Sequence, residues 1–222
     1  MILQNPVYGA LTGPHASFAE VSGNARRYPA AVAPFLGLPD VPTDADWTAA
    51  AELLRAGGPG AMMRPEFEVP DGIKIDKVFD LVQFTAPDDL PAAEPEAVRL
   101  GVDDVPDMLA LVALTDPGPF RSRTIELGTY LGIRRGGDLV AMAGTRFSLP
   151  GYVEISAVCT HPSARGEGLA TRLIRAVAAE ITATGRHPFL HTGGTNTTAI
   201  RLYNSLGFTL SNEMKVTIVS AV

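Results

Sequence analysis

One cysteine, Cys159, stands among 222 residues, so no disulfide can form within the chain and the composition fits a reducing compartment. Charge is sparse as well: Asp, Glu, Lys and Arg make up 19% of the sequence, with a formal net charge of -6. That balance argues against nucleic acid or an anionic membrane as the main partner. No apolar run approaches the ~20 residues that a membrane-spanning helix needs. The opening residues, Met1 to Val7, lack a basic stretch followed by a long apolar one, so no secretory signal is expected. These absences together predict a soluble, cytoplasmic protein. Without secretion, the glycosylation sequon Asn196-Thr197-Thr198 has no use as such.

Apolar residues are plentiful. They form 46% of the chain, enough for a substantial buried core. The composition changes near residue 90. Most prolines precede residue 95, and Thr85 to Pro95 is rich in Pro, Ala and acid, reading as a linker. Two units are therefore expected, an N-terminal subdomain over residues 1–92 and a larger domain over residues 93–222. In the first, Asp44 or Asp46 caps a helix from about Trp47 to Arg55, which Gly57-Gly58-Pro59 stops. Gly60 to Arg64 and Ile73 to Phe84 read as strands. Trp47, Met62 and Met63 read as core.

The second unit is more regular. Glu96 to Gly101 reads as a strand. Asp103 or Asp104 opens a helix reaching Leu114, and a short helix follows near Ser122 to Leu127. Thr129–Arg134, Leu139–Phe147 and Val153–Thr160 are strand-like runs, separated by turns at Gly136-Gly137-Asp138 and Pro150-Gly151, as in an antiparallel meander. After Pro162 the period becomes helical: Leu169, Leu173, Ile174, Val177, Ala178 and Ile181 share one face. Phe189–Thr192 is a strand, Thr195 or Asn196 opens a helix closed by Gly207, and Phe208–Leu210 with Met214–Val219 supply one or two last strands. The fold class is mixed α/β (α+β), a largely antiparallel sheet flanked by helices.

Chemistry concentrates where a strand turns into the long helix, at Arg165-Gly166-Glu167-Gly168-Leu169-Ala170. The first turn of a helix carries N–H groups without partners and the positive end of the dipole. Glycines let that backbone approach a bulky anion such as phosphate. A dinucleotide fingerprint is a poor fit, because Thr171 occupies its third glycine position and the preceding strands read as antiparallel. A P-loop would end in Gly-Lys-Ser/Thr, which is missing.

The run resembles the acyl-CoA pyrophosphate motif of the GNAT superfamily of N-acyltransferases, Arg/Gln-x-x-Gly-x-Gly/Ala, with Arg165, Gly168 and Ala170 at its specified positions. Asn196-Thr-Thr-Ala-Ile-Arg-Leu-Tyr-Asn-Ser-Leu-Gly-Phe208 is similar to the family's second signature. The resemblance spans about residues 95–222; for residues 1–92 it suggests at most a degenerate half-domain of the same kind. It implies acetyl-CoA as co-substrate, no metal, and an amine acceptor, small molecule or peptide, attacking directly in a ternary complex. It also leaves room for a homodimer, for another acyl-CoA, or for a module that binds acyl-CoA without turnover.

The resemblance further implies that the backbone around Val158, Cys159 and Thr160 pairs with the pantetheine arm as an added strand. The amides of Arg165, Gly166, Glu167, Gly168, Leu169, Ala170 and Thr171 then hold the pyrophosphate, and an N–H near Val158 stabilises the oxyanion. Asn196 bonds the pantetheine arm, caps its helix, or does both. Tyr203 donates a proton to the leaving thiolate, or simply packs in the core. Glu154, four residues before Val158 and so on the same face of a regular strand, is the general-base candidate, with a carboxyl raised by apolar neighbours; the alternative is a solvated edge. Cys159 and His161 share a face, yet a lone strand cysteine reads as a small hydrophobe. Phe120 and Arg121, with Arg123, lie in the Pro117-Gly118-Pro119 loop on the acceptor side, or are merely loop residues.

Overall fold

The computed structural model describes residues 2–91 and 96–222. Eleven strands and five α-helices are present among them, with short 3-10 turns between. In chain order they are α1 (Pro6–Leu11), β1 (Glu20–Ser22), β2 (Ala25–Arg27), β3 (Leu36–Gly37), α2 (Asp44–Gly57), β4 (Gly60–Arg64), β5 (Ile73–Thr85), β6 (Val98–Arg99), α3 (Val105–Thr115), β7 (Tyr130–Arg135), β8 (Asp138–Leu149), β9 (Tyr152–Thr160), α4 (Leu169–Thr182), β10 (His187–Gly193), α5 (Thr197–Ser205) and β11 (Thr209–Ala221). The expected linker ends, and the boundary expected at residues 92 and 93 lies, outside the described residues.

Eight strands form one sheet in the order β4-β11-β5-β10-β9-β8-β7-β6. Its one parallel pair is β9 with β10, joined by the crossover helix α4; the other pairs are antiparallel. β5 enters between β10 and β11 and runs antiparallel to both. β4 pairs with β11 at the edge. Residues 60–85 are thus strands of the same sheet as residues 98–221. A small three-stranded sheet, β1-β2-β3, lies beside it.

Local chemistry accounts for the elements. α4 buries Leu169, Leu173, Ile174, Val177, Ala178 and Ile181 against Val153, Ile155 and Leu190. On the other face, Val7, Leu11, Phe35 and Met63 pack against Phe147 and Phe189. Farther along that face, α3 lays Met108 and Leu111 against Met142 and Cys159. Three boundaries differ from expectation. The cap of α2 is Thr43, in a capping box with Asp46, because the Thr43 hydroxyl reaches the Asp46 N–H while the Asp46 carboxylate accepts from the Thr43 N–H. β6 is only Val98–Arg99, since it pairs solely with Gly132 and Leu131 at the sheet edge. Residues 209–221 form one strand with register shifts between Leu210 and Asn212 and between Ile218 and Val219.

Candidate active site

Two irregularities in β9 open the site. Pairing with β10 runs from Tyr152–His187 to Ile155–Leu190 and then stops, so the two strands part beyond Ile155. Opposite, Met142 pairs with Cys159 but Gly144 pairs with Ser156, leaving Ala157 and Val158 to face Ala143 alone. This is a β-bulge, and Ala157 sits in it at φ +52°, a left-handed conformation that costs an alanine roughly 1–2 kcal/mol. Bulges of this kind turn backbone groups out of the ladder.

The bulge also reverses the alternation of β9. Val158 packs with Val153 and Ile155 on the α4 face. Glu154 points the other way, toward Arg146 and the backbone of Phe147. The shared face expected for Glu154 and Val158 is therefore corrected: an inserted residue between them breaks the period of two.

Glu154 is fully buried. Arg146 donates to it twice, Nε to Oε2 at 2.8 Å and Nη2 to Oε1 at 2.6 Å, and His191 Nδ1 lies 2.7 Å from Oε1. Burial pushes the carboxyl up, but the charge and hydrogen bonds of Arg146 and the bond from His191 outweigh it, and the group is lowered to about 2. The raised carboxyl expected from apolar neighbours is corrected by these partners. Held that low, Glu154 is a weak proton acceptor and a strong counter-ion. His191 is in turn held by Gln83, whose Nε2 also donates to the Leu3 carbonyl. That carbonyl fixes the Gln83 amide, so His191 Nε2 accepts and Nδ1 carries the proton toward Glu154.

Beyond β9, the chain turns at Gly166 (φ +87°) and Gly168 (φ +74°), and nothing lies within 4 Å of where a side chain at either would begin. Gly168 is the N-cap of α4 and offers no side-chain cap, and the first turn has no acid. The first intrahelical bond is Arg172 N–H to the Gly168 carbonyl, so the preceding amides point outward without helical partners. Arg165, Gly166, Glu167 and Gly168 are exposed, Ala170 and Thr171 half-buried, and Leu169 is anchored in the core. An anion fits this bare helix start.

A cavity of about 860 Å³ passes through the gap between β9 and β10. Ile155, Val158, Asn196, Ala199 and Tyr203 line it toward α5; Phe35, Met63, Phe79, Arg146 and His191 line it on the opposite side. Tyr203 is buried between Phe84 and Phe208, and burial, with the Glu154 charge, pushes its hydroxyl up to about 12. Asn196 caps α5 by accepting from Ala199 N–H at 3.1 Å, leaving its amide nitrogen for a ligand. Phe120 and Arg121 both line the cavity, but Phe120 is also core, edge-on to Tyr130 at 5.4 Å. Thr160 is half-buried and pairs with Ala141. Burial pushes the Cys159 thiol up to about 11, and His161 turns instead to Ser163. Among the described residues no cluster of His, Cys, Asp and Glu is gathered that would hold a metal, and no helix is long and apolar enough to cross a membrane.

A protein from Novosphingobium aromaticivorans, described as an acetyltransferase of the GNAT family, is 38% identical over 100% of this chain and 99% of its own, with a TM-score of 0.91. The chain belongs to the GNAT family. The FR47-like protein family also matches, over residues 130–216. A GCN5-related N-acetyltransferase from Kribbella flavida shares the fold at 18% identity, covering 96% of this chain and 94% of its own, with a TM-score of 0.65. So does a GNAT-family acetyltransferase from Colwellia psychrerythraea, at 13% identity, 87% and 80% coverage and a TM-score of 0.54. No curated protein matches. As a GNAT protein the chain is an acyltransferase. Arg146, His191, Gln83 and the bulge at Ala157 are the site features that strand periodicity misses. The signal for the first two was a charge or an imidazole in mid-strand among buried residues.

Proposed function

We propose that the chain transfers the acetyl group of acetyl-CoA to a primary amine by direct attack in a ternary complex. One observation carries this reading: a single cavity joins the gap between β9 and β10 to a second chamber walled by Phe35, Met63, Phe79 and Arg146. The bare start of α4 suits the pyrophosphate, and the free edge of β9 beyond Ile155 suits an extended arm with two amides. Bound there, acetyl-CoA supplies an activated acyl group.

The residues divide the remaining chemistry. Backbone N–H groups of the Ala157–Val158 bulge donate to the acyl oxygen as its negative charge develops. The amine nitrogen forms the new C–N bond as the C–S bond breaks. Tyr203 donates its hydroxyl proton to the departing sulfur, and the proton lost by the amine balances it by way of solvent. Glu154 acts by position, holding Arg146 and His191 at the cavity wall.

Calorimetry with acetyl-CoA, paired with thiol release over a panel of primary amines, tests the reading. Binding accompanied by thiol release is expected. Binding without release on any amine would instead mark a module that senses acyl-CoA, and release only with a longer acyl-CoA would change the donor.

A further inference from the structure

Arg146 is a buried cation that Glu154 only half satisfies. Its side chain is 10% exposed, and it lines the cavity. A guanidinium has five N–H donors. Glu154 takes one at Nε and one at Nη2, along the side of the group. The end of the group, formed by Nη1 and the other Nη2 hydrogen, makes no hydrogen bond to a described residue, and Nη1 is not among the sealed, unpaired atoms of the protein. It therefore opens to the cavity. Phe35 and Phe147 hold the guanidinium carbon 4.9 and 4.8 Å from their ring centres, which fixes the direction of that open end. Beside it, the Tyr130 hydroxyl is buried without a partner among the described residues, and Arg146 and Glu154 are the charges it senses.

Two parallel N–H groups on a rigid, planar cation match the two oxygens of a carboxylate. We infer that the end of Arg146 anchors a carboxylate on the acceptor, and that the acceptor is an amino acid with an apolar body and several bonds between amine and carboxylate. The apolar body follows from Met63, Phe79, Val216 and Ile218, which wall the same chamber. The spacing follows from β9. Arg146 and Phe147 sit opposite Glu154, three residues before the bulge at Ala157, and three strand residues span about 10 Å. With the backbones of Arg146 and the bulge that far apart, a carboxylate several bonds from the amine suits the chamber better than an α-amino acid does. The inference rests on the amine acetyltransferase reading and narrows its acceptor.

The test compares 5-aminopentanoate, 6-aminohexanoate and 4-(aminomethyl)benzoate with their methyl esters and with alanine and phenylalanine, using acetyl-CoA and thiol release. Each free acid should exceed its ester in kcat/KM by about tenfold or more, the worth of a charge-assisted hydrogen bond, and should exceed both α-amino acids. Arg146→Lys keeps a cation beside Glu154 but loses the planar fork; it should bring the acid-to-ester ratio toward one while acetyl-CoA still binds by calorimetry. A second measurement spares the fold: N-acetyl-6-aminohexanoate should bind the unaltered protein about tenfold tighter than its methyl ester. Esters as good as acids, or α-amino acids as the best acceptors, would overturn the inference and leave amine acetylation standing. Failure of every amine with acetyl-CoA bound would overturn the acetyltransferase reading itself.

Discussion

Glu154 and Arg146 face each other across β9 and β8 as a two-point ion pair, with Nε–Oε2 at 2.8 Å and Nη2–Oε1 at 2.6 Å, inside the protein. Breaking one side of such a pair strands the other charge in a medium that solvates it poorly. Glu154→Gln is expected to destabilise the fold by about 3–5 kcal/mol in urea unfolding, whereas replacing both partners by apolar residues of similar volume should cost much less. Equal losses for the single and double variants would show that the pair has no such role.

The same carboxylate makes stability depend on acid. Its folded value, about 2, lies below its ordinary 4.5, so the unfolded chain takes up the proton first. The stabilisation it lends is complete above pH 4.5 and drains away as pH falls toward 2. Unfolding free energies measured across that window should fall less steeply in Glu154→Gln than in the unaltered protein.

Gly168 is left-handed at φ +74° with open space where a side chain would begin. Gly168→Leu is expected to raise the Michaelis constant for acetyl-CoA by about tenfold or more, because a side chain there stands where phosphate approaches the backbone. Gly72→Ala, in the turn before β5 at φ +95° with open space around it, serves as the control for left-handed strain alone. An unchanged constant in Gly168→Leu would remove this loop from the donor site.

Tyr203→Phe keeps the ring packed between Phe84 and Phe208 and removes only the hydroxyl. The turnover number should drop by about 10²–10⁴-fold with melting temperature nearly unchanged. Because the hydroxyl lies near 12, the unaltered enzyme should show no loss of rate from its ionisation below about pH 11. A variant with full turnover would return Tyr203 to the core.

Cys159 is buried with its thiol pushed up to about 11, so very little thiolate exists near neutral pH. Iodoacetamide should label it slowly in the folded protein and quickly in urea, and Cys159→Ala should retain turnover. Loss of turnover with acetyl-CoA binding intact would point to a covalent acyl-cysteine.

The strands and helices of residues 129–221 were legible because each rests on local signals. Short apolar runs between glycine turns mark β7, β8 and β9, the apolar stripe from Leu169 to Ile181 marks α4, and glycines mark the ends. The motif at Arg165 to Ala170 was legible for the same reason, since the start of a helix is set by a few adjacent residues. The expected helix cap at Asp44 or Asp46 missed Thr43 by little, because any of the three side chains is chemically able to cap.

By itself the sequence determined which segments beyond residue 43 are helix or strand, that a helix starts bare of side-chain caps after Gly168, and that the chain resembles acyl-CoA enzymes. Only the tertiary structure decided which way Glu154 points and what it binds. An alanine at φ +52° leaves no mark in a sequence, and the bulge that reverses β9 exists only against its partner strand. The pairings of β4 with β11 and of β5 with β11 and β10 join residues more than a hundred positions apart, beyond any local period, and they bring Met63 and Phe79 to the chamber opposite Tyr203.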